Sequence, residues 1–341
     1  MTRPALMAIA VLLLLPVLVQ AQVVPNLNEI RQRDFISQGD RDTIRRFVEE
    51  LVRKMLTDTS EDRSGMIAGR QRLLSEALRA GVSTQAFRQA FAEVTLEVLK
   101  ENTKKAVSLA ARVNFLMVAA QLGLLDAAPL LRSSLENDPY PASQYWAARG
   151  LALLAPKIVE SVAPRLEAEI ADSIKKVLKP QTSPFVLAQL FDALGRFDHE
   201  QAHDVLADGA VFLVKTTNAA EPVIARLQSD VIKSVERAYE HEVRPEAKQG
   251  LLFALVTMCA WLEPAEDDPR LTTELNATLM KLTGADAGYS PRDPPRLQKL
   301  ALMEWIERLI RDKRITKRPD LPPAIEEAVK REVAPGKAAG A

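Results

Sequence analysis

From residue 40 onward, apolar residues recur three and four positions apart, and no stretch sustains the alternation of a half-buried strand. Ile44, Phe47, Val48, Leu51, Val52, Met55 and Leu56 share one helical face, and Asp40 is placed to cap that helix. A loop is expected over 57–64. The second helix turns Met66, Ile67, Leu73, Leu74, Ala77 and Leu78 inward and stops at Gly81. Ser83 is placed to cap a third, with Phe87, Phe91, Val94, Val98 and Leu99 inward. A fourth spans 104–122 and stops at Gly123. Val211 to Val214 is the best local strand candidate, but helical sequence flanks it on both sides. The fold class expected is therefore all-α.

Beyond Gly123 the pattern becomes quasi-periodic. Ala128-Pro129-Leu130-Leu131, with Leu135, returns as Ala163-Pro164-Arg165-Leu166, with Ile170, at an offset of 35. Pro141, Pro184 and Pro222 precede the partner helices at offsets of 43 and 38. Proline suits a helix start because its missing N–H would have had no partner there. Each unit is a helix, a proline-bearing loop (138–141, 179–184, 215–222) and a second helix. Two-helix units of this length predict stacked helical hairpins, an α-solenoid.

Within these units Asp138-Pro139, followed by Ala147-Ala148-Arg149-Gly150-Leu151, resembles the second half of a HEAT-like (armadillo-like) repeat. Ala193-Leu194-Gly195-Arg196-Phe197 looks like the close of the next. The resemblance covers 124–239, and the arginine usual in the second helix would fall at Gln144 and Leu187. It implies a right-handed stack of helical pairs serving as a scaffold or binding surface, without naming a partner.

After Tyr239 the period blurs. An apolar helix is expected over 245–262, an acidic loop over 263–269, and amphipathic helices over 270–282 and 296–311. At the other end, Arg3, a fifteen-residue apolar run over 5–19 and the small residues of Val19-Gln20-Ala21 read as a secretory signal cleaved after Ala21. The run is shorter than the roughly twenty residues that span a bilayer. No second apolar segment of that length follows, so no membrane span is expected in the mature chain. The organisation expected is a signal peptide at 1–21, an extended lead-in at 22–39, N-terminal helices at 40–123, HEAT-like repeats and C-terminal helices at 124–318, and a flexible tail at 319–341.

Charge narrows the function classes. The 45 basic residues balance 45 acidic ones, so no global field favours a polyanion, and nucleic-acid binding is not expected. The local basic cluster Arg308, Arg311, Lys313, Arg314, Lys317 and Arg318 reads as a solvated helix end whose cations suit the dipole. The single cysteine, Cys259, cannot form an intrachain disulfide and reads as a small buried apolar residue.

One string carries enzymatic chemistry. In His199-Glu200-Gln201-Ala202-His203, histidines four apart on a helix could reach one zinc, with Glu200 as general base for a bound water. A third ligand is needed. Glu221 follows with seventeen residues between it and His203, which resembles the gluzincin arrangement but misses its usual spacing, and Asp204 replaces an uncharged neighbour. The competing structural reading makes the pair boundary histidines on a repeat helix. Ser173-Ile174-Lys175-Lys176 matches S-x-x-K without the companion elements of that family. The acidic residues Glu263, Glu266, Asp267 and Asp268 lack the alternation of a calcium loop. Tyr140, Tyr145 and Trp146 cluster at a helix start, where they serve either as packing between repeats or as a binding patch. No nucleotide-binding or haem fingerprint occurs, and no cofactor is expected.

The leading expectation is an exported helical-repeat scaffold or protein–protein interaction module with a protein partner and no assigned catalytic or metal residue. The alternative is a zinc-dependent hydrolase using His199, Glu200 and His203 with Glu221. A structural envelope protein without a specific ligand is a third.

Overall fold

A computed structural model describes residues 25–79, 81–217, 221–261, 270–284, 286, 288 and 293–315. The expected signal segment and tail lie outside them. Among the described residues every regular element is helical and no strand occurs. The helices are α1 (Gln38–Thr57), α2 (Ser64–Leu78), α3 (Gln85–Thr103), α4 (Leu109–Leu122), α5 (Ala128–Asn137), α6 (Pro141–Glu160), α7 (Pro164–Leu178), α8 (Pro184–Leu194), α9 (Glu200–Thr216), α10 (Pro222–His241), α11 (Pro245–Trp261), α12 (Arg270–Thr283) and α13 (Pro295–Arg311). Val211 to Val214 lie inside α9.

Local chemistry explains where these helices begin and end. Ser37, not Asp40, caps α1. The Ser37 hydroxyl accepts from the Asp40 N–H at 3.2 Å and the Asp40 carboxylate accepts from the Ser37 N–H at 3.0 Å, a reciprocal box that satisfies two otherwise orphaned donors. Thr84 rather than Ser83 caps α3, which runs on to Thr103, so α4 starts behind Ser108, later than the apolar pattern predicts. Proline occupies the first turn of α6, α8 and α10. Gly123 ends α4 at φ +63°, a conformation that costs glycine little.

Packing is both sequential and next-but-one. Helix α2 packs on α4, α4 on α6, α6 on α8, α8 on α10 and α10 on α12. On the other side α1 packs on α3, α5 on α7, α7 on α9, α9 on α11 and α11 on α13. The core between them is rich in alanine and leucine, with Ala147, Ala148, Leu151, Leu154, Ala155 and Ile158 of α6 all buried. Small side chains bring helices close. A Cβ on Gly195 would sit 2.6 Å from the Ser234 carbonyl oxygen, so the α8 end and α10 meet almost backbone to backbone. Two residues expected inward are not: Ile67 and Leu78 are exposed, because the buried stripe of α2 runs through Met66, Gly69, Leu73 and Ala77. In the lead-in, Leu27 and Ile30 are buried and Arg31 pairs with Glu76 at 2.6 Å.

Candidate functional site

The His199–His203 string straddles a helix start instead of lying along one helical face. Phe197 is buried, and the backbone N–H groups of Asp198 and His199 donate to the Glu167 carboxylate of α7 at 2.8 and 3.0 Å. This turn ends with His199 as the N-cap of α9, its Nδ1 accepting from the Gln201 N–H at 3.2 Å. His203, one turn in, is fully buried. Its Nδ1 lies 2.6 Å from the Glu242 carboxylate and its Nε2 lies 2.8 Å from the Phe197 carbonyl oxygen. Both ring nitrogens are thus engaged, one by a carboxylate and the other by a backbone carbonyl.

Glu242 stands in the turn between α10 and α11. Burial works against its charge, but hydrogen bonds from the Arg244 side chain, the Arg244 backbone N–H and His203 outweigh burial and hold the carboxyl far below the usual range. Arg244 also reaches Glu200, so the glutamate of the string is spent on an ion pair. Glu221 lies beyond the other end of α9, as the residue preceding α10. From His203 to Thr216 the helix rise alone is about 20 Å.

The four residues weighed as a zinc site are thus kept apart. One imidazole caps a helix, the other has both ring nitrogens engaged within the core, Glu200 faces Arg244, and Glu221 is a helix length away. Among the described residues no group of three or more His, Cys, Asp or Glu side chains is gathered to hold a metal. The arrangement instead fastens α9 to its neighbours, through Glu167 on one side and Glu242 on the other.

Other sequence-level candidates fall to packing as well. Ser173 is buried, donating to the Glu169 carbonyl and accepting from Arg132 Nε, each at 3.0 Å, while Lys176 is exposed and paired with Glu136. Burial pushes the Cys259 thiol up to about 12, which leaves it unreactive in the folded chain. Arg308, Arg311, Lys313 and Arg314 are exposed at the end of α13, and the acidic residues of 263–268 lie outside the described residues.

The aromatic cluster keeps a surface. Tyr145 and Trp146 meet edge to face at a centroid distance of 5.6 Å. Arg149, one turn on, stacks over Trp146 at 5.1 Å and donates to the Tyr145 hydroxyl at 3.0 Å. Arg112 of α4 stacks over Tyr140 at 5.0 Å and pairs with Asp138 at 3.2 Å. Tyr140, Leu153 of α6 and Phe185 of α8 are 44%, 48% and 67% exposed. Arg112, Arg149, Lys157, Glu160 and Asp192 are the only charged residues in α4, α6 and α8. The sequence shows the α6 aromatics, but not that Arg112 comes to them from the preceding hairpin.

Among the described residues no helix is long and apolar enough to cross a membrane. Comparison of the chain with protein-family models, with curated proteins and with solved structures returned no match.

Proposed function

We propose that this chain is an exported helical-repeat scaffold, a HEAT-like stack of helical hairpins that binds a protein partner through the outward side of α4, α6 and α8. One observation carries the reading. In a chain that is 26% charged, α4, α6 and α8 hold only Arg112, Arg149, Lys157, Glu160 and Asp192 as charged residues, and their outward side exposes Tyr140, Leu153 and Phe185. Exposed apolar surface ringed by polar residues marks an interaction site. Next-but-one packing supports the stack, because helical pairs that cannot bury their apolar faces alone do so against the next pair. Export rests on Arg3, the apolar run and Val19-Gln20-Ala21, and it predicts a mature chain starting at Gln22.

The test is a photo-crosslinking amino acid placed at Leu153, at Phe185 and, as a control, at exposed Ser133 on α5 in the producing cells. A discrete protein adduct from the first two positions and none from the third is the expected result. Equal labelling at all three, or none at any, contradicts a specific docking face.

A further inference from the structure

We infer that the partner of this face presents an acidic side chain, with the carboxylate seated on Arg149 and an adjoining apolar group against Trp146 and Leu153. The inference rests on the docking reading above and specifies its chemistry. Arg149 and Leu153 are exposed on α6 with Tyr145 and Trp146 half-buried beside them, while Ala147, Ala148, Gly150 and Leu151 form the buried stripe.

The guanidinium of Arg149 is already oriented, by its stack on Trp146 and its hydrogen bond to Tyr145. No carboxylate lies within 4 Å of it among the described residues, whereas Arg112, the other stacked arginine of this face, meets Asp138. Five N–H donors on a planar fork suit bidentate capture of a carboxylate, and stacking reduces the ordering cost of binding.

The same face holds a filled version of the arrangement. Arg112 stacks on Tyr140 as Arg149 does on Trp146, but its carboxylate comes from Asp138 of the chain itself. Among the described residues no acid supplies the equivalent at Arg149. Asp192, the acidic residue of α8, is bound by Arg196 and Arg237 at 3.0 Å, and Glu160 is the last residue of α6. A basic or uncharged segment would leave Arg149 unanswered under a desolvating contact, which disfavours it.

The experiment is selection of a displayed random dodecapeptide library on the full chain, followed by anisotropy titration of the enriched peptides as synthetic, labelled probes. The enriched sequences are expected to carry Asp or Glu beside an apolar residue. Their affinity should fall at least ten-fold when the acid is replaced by its amide and in Arg149→Gln, and should vanish in Leu153→Glu. Both substitutions lie at exposed positions, and an unchanged thermal melt verifies folding. Peptides that lose binding in Leu153→Glu yet bind Arg149→Gln fully overturn the carboxylate inference and leave the docking face standing. Peptides indifferent to both substitutions, or a library with no binder, overturn both.

Discussion

The outward side of α5, α7 and α9 differs in kind from that of α4, α6 and α8. On the first, neighbouring helices answer one another's charges. Arg132 of α5 meets Glu169 of α7 at 2.5 Å, Lys176 of α7 reaches back to Glu136 of α5 at 3.4 Å, and Gln201 of α9 bonds Asp172 of α7. On the second, close apolar packing does that work, and the surface left over is aromatic and aliphatic, with Arg149 unanswered. The difference lies in how neighbouring helices are held together. Polar cross-links among α5, α7 and α9 hold their spacing, and each exposed pair is worth only about 0–1 kcal/mol. Between α4, α6 and α8 buried alanine, glycine and leucine do the same, whereas ion pairs join α8 to α10 through Arg237 and Asp192, and α10 to α12 through Lys233–Glu274 and Lys281–Glu236.

Substitutions can break this contrast. The largest effect is expected at His203, which ties α9 to the α10–α11 turn. His203→Ala leaves the buried Glu242 carboxylate without one of its hydrogen-bond partners and should cost about 3 kcal/mol in urea denaturation. The same cluster sets an acid limit. The Glu242 carboxyl is held below its ordinary 4.5, so its stabilisation is complete above that pH and is lost as pH falls toward the folded-state value. Stability measured from pH 6 downward should therefore decline less steeply in Glu242→Gln than in the parent.

On the even-numbered side, Gly195→Ala drives a methyl into the Ser234 carbonyl and should cost about 2 kcal/mol by the same measurement. Arg132→Gln on the odd-numbered side should cost about 0.5 kcal/mol and leave peptide binding untouched. The smallest stability change, within about 0.5 kcal/mol, is expected for Phe185→Glu, which should nevertheless remove binding. A Phe185→Glu chain that still binds would sharpen the docking face to α6 alone.

Helix positions were legible because each turn of the pattern repeats the same information, and glycine and proline punctuate it. Caps were less so. Asp40 looks like an N-cap until Ser37 is seen three residues earlier, closing the reciprocal box. The histidine string was the least legible. Its spacing means a shared face only if the helix begins before His199, and nothing local shows that Glu167, 32 residues upstream, binds the turn and delays the start to Glu200. Nor does the string reveal that His203 is answered by Glu242, 39 residues downstream. The Tyr145-Trp146 pair was visible, whereas the filled Arg112–Tyr140–Asp138 counterpart depends on how one hairpin lies against the next.

The central claim is that hairpins stack so that helices meet next-but-one in two rows, α2 through α12 and α5 through α13. Zero-length carbodiimide cross-linking of the full chain, read by peptide mapping, tests it most directly. The predicted links are Lys176 to Glu136, joining α7 to α5, and Lys233 to Glu274 and Lys281 to Glu236, joining α10 to α12, from separations of 3.4, 3.3 and 2.6 Å. Recovery of these three links supports the stack. Their absence, with the same lysines joined to acidic residues of other helices, would contradict it.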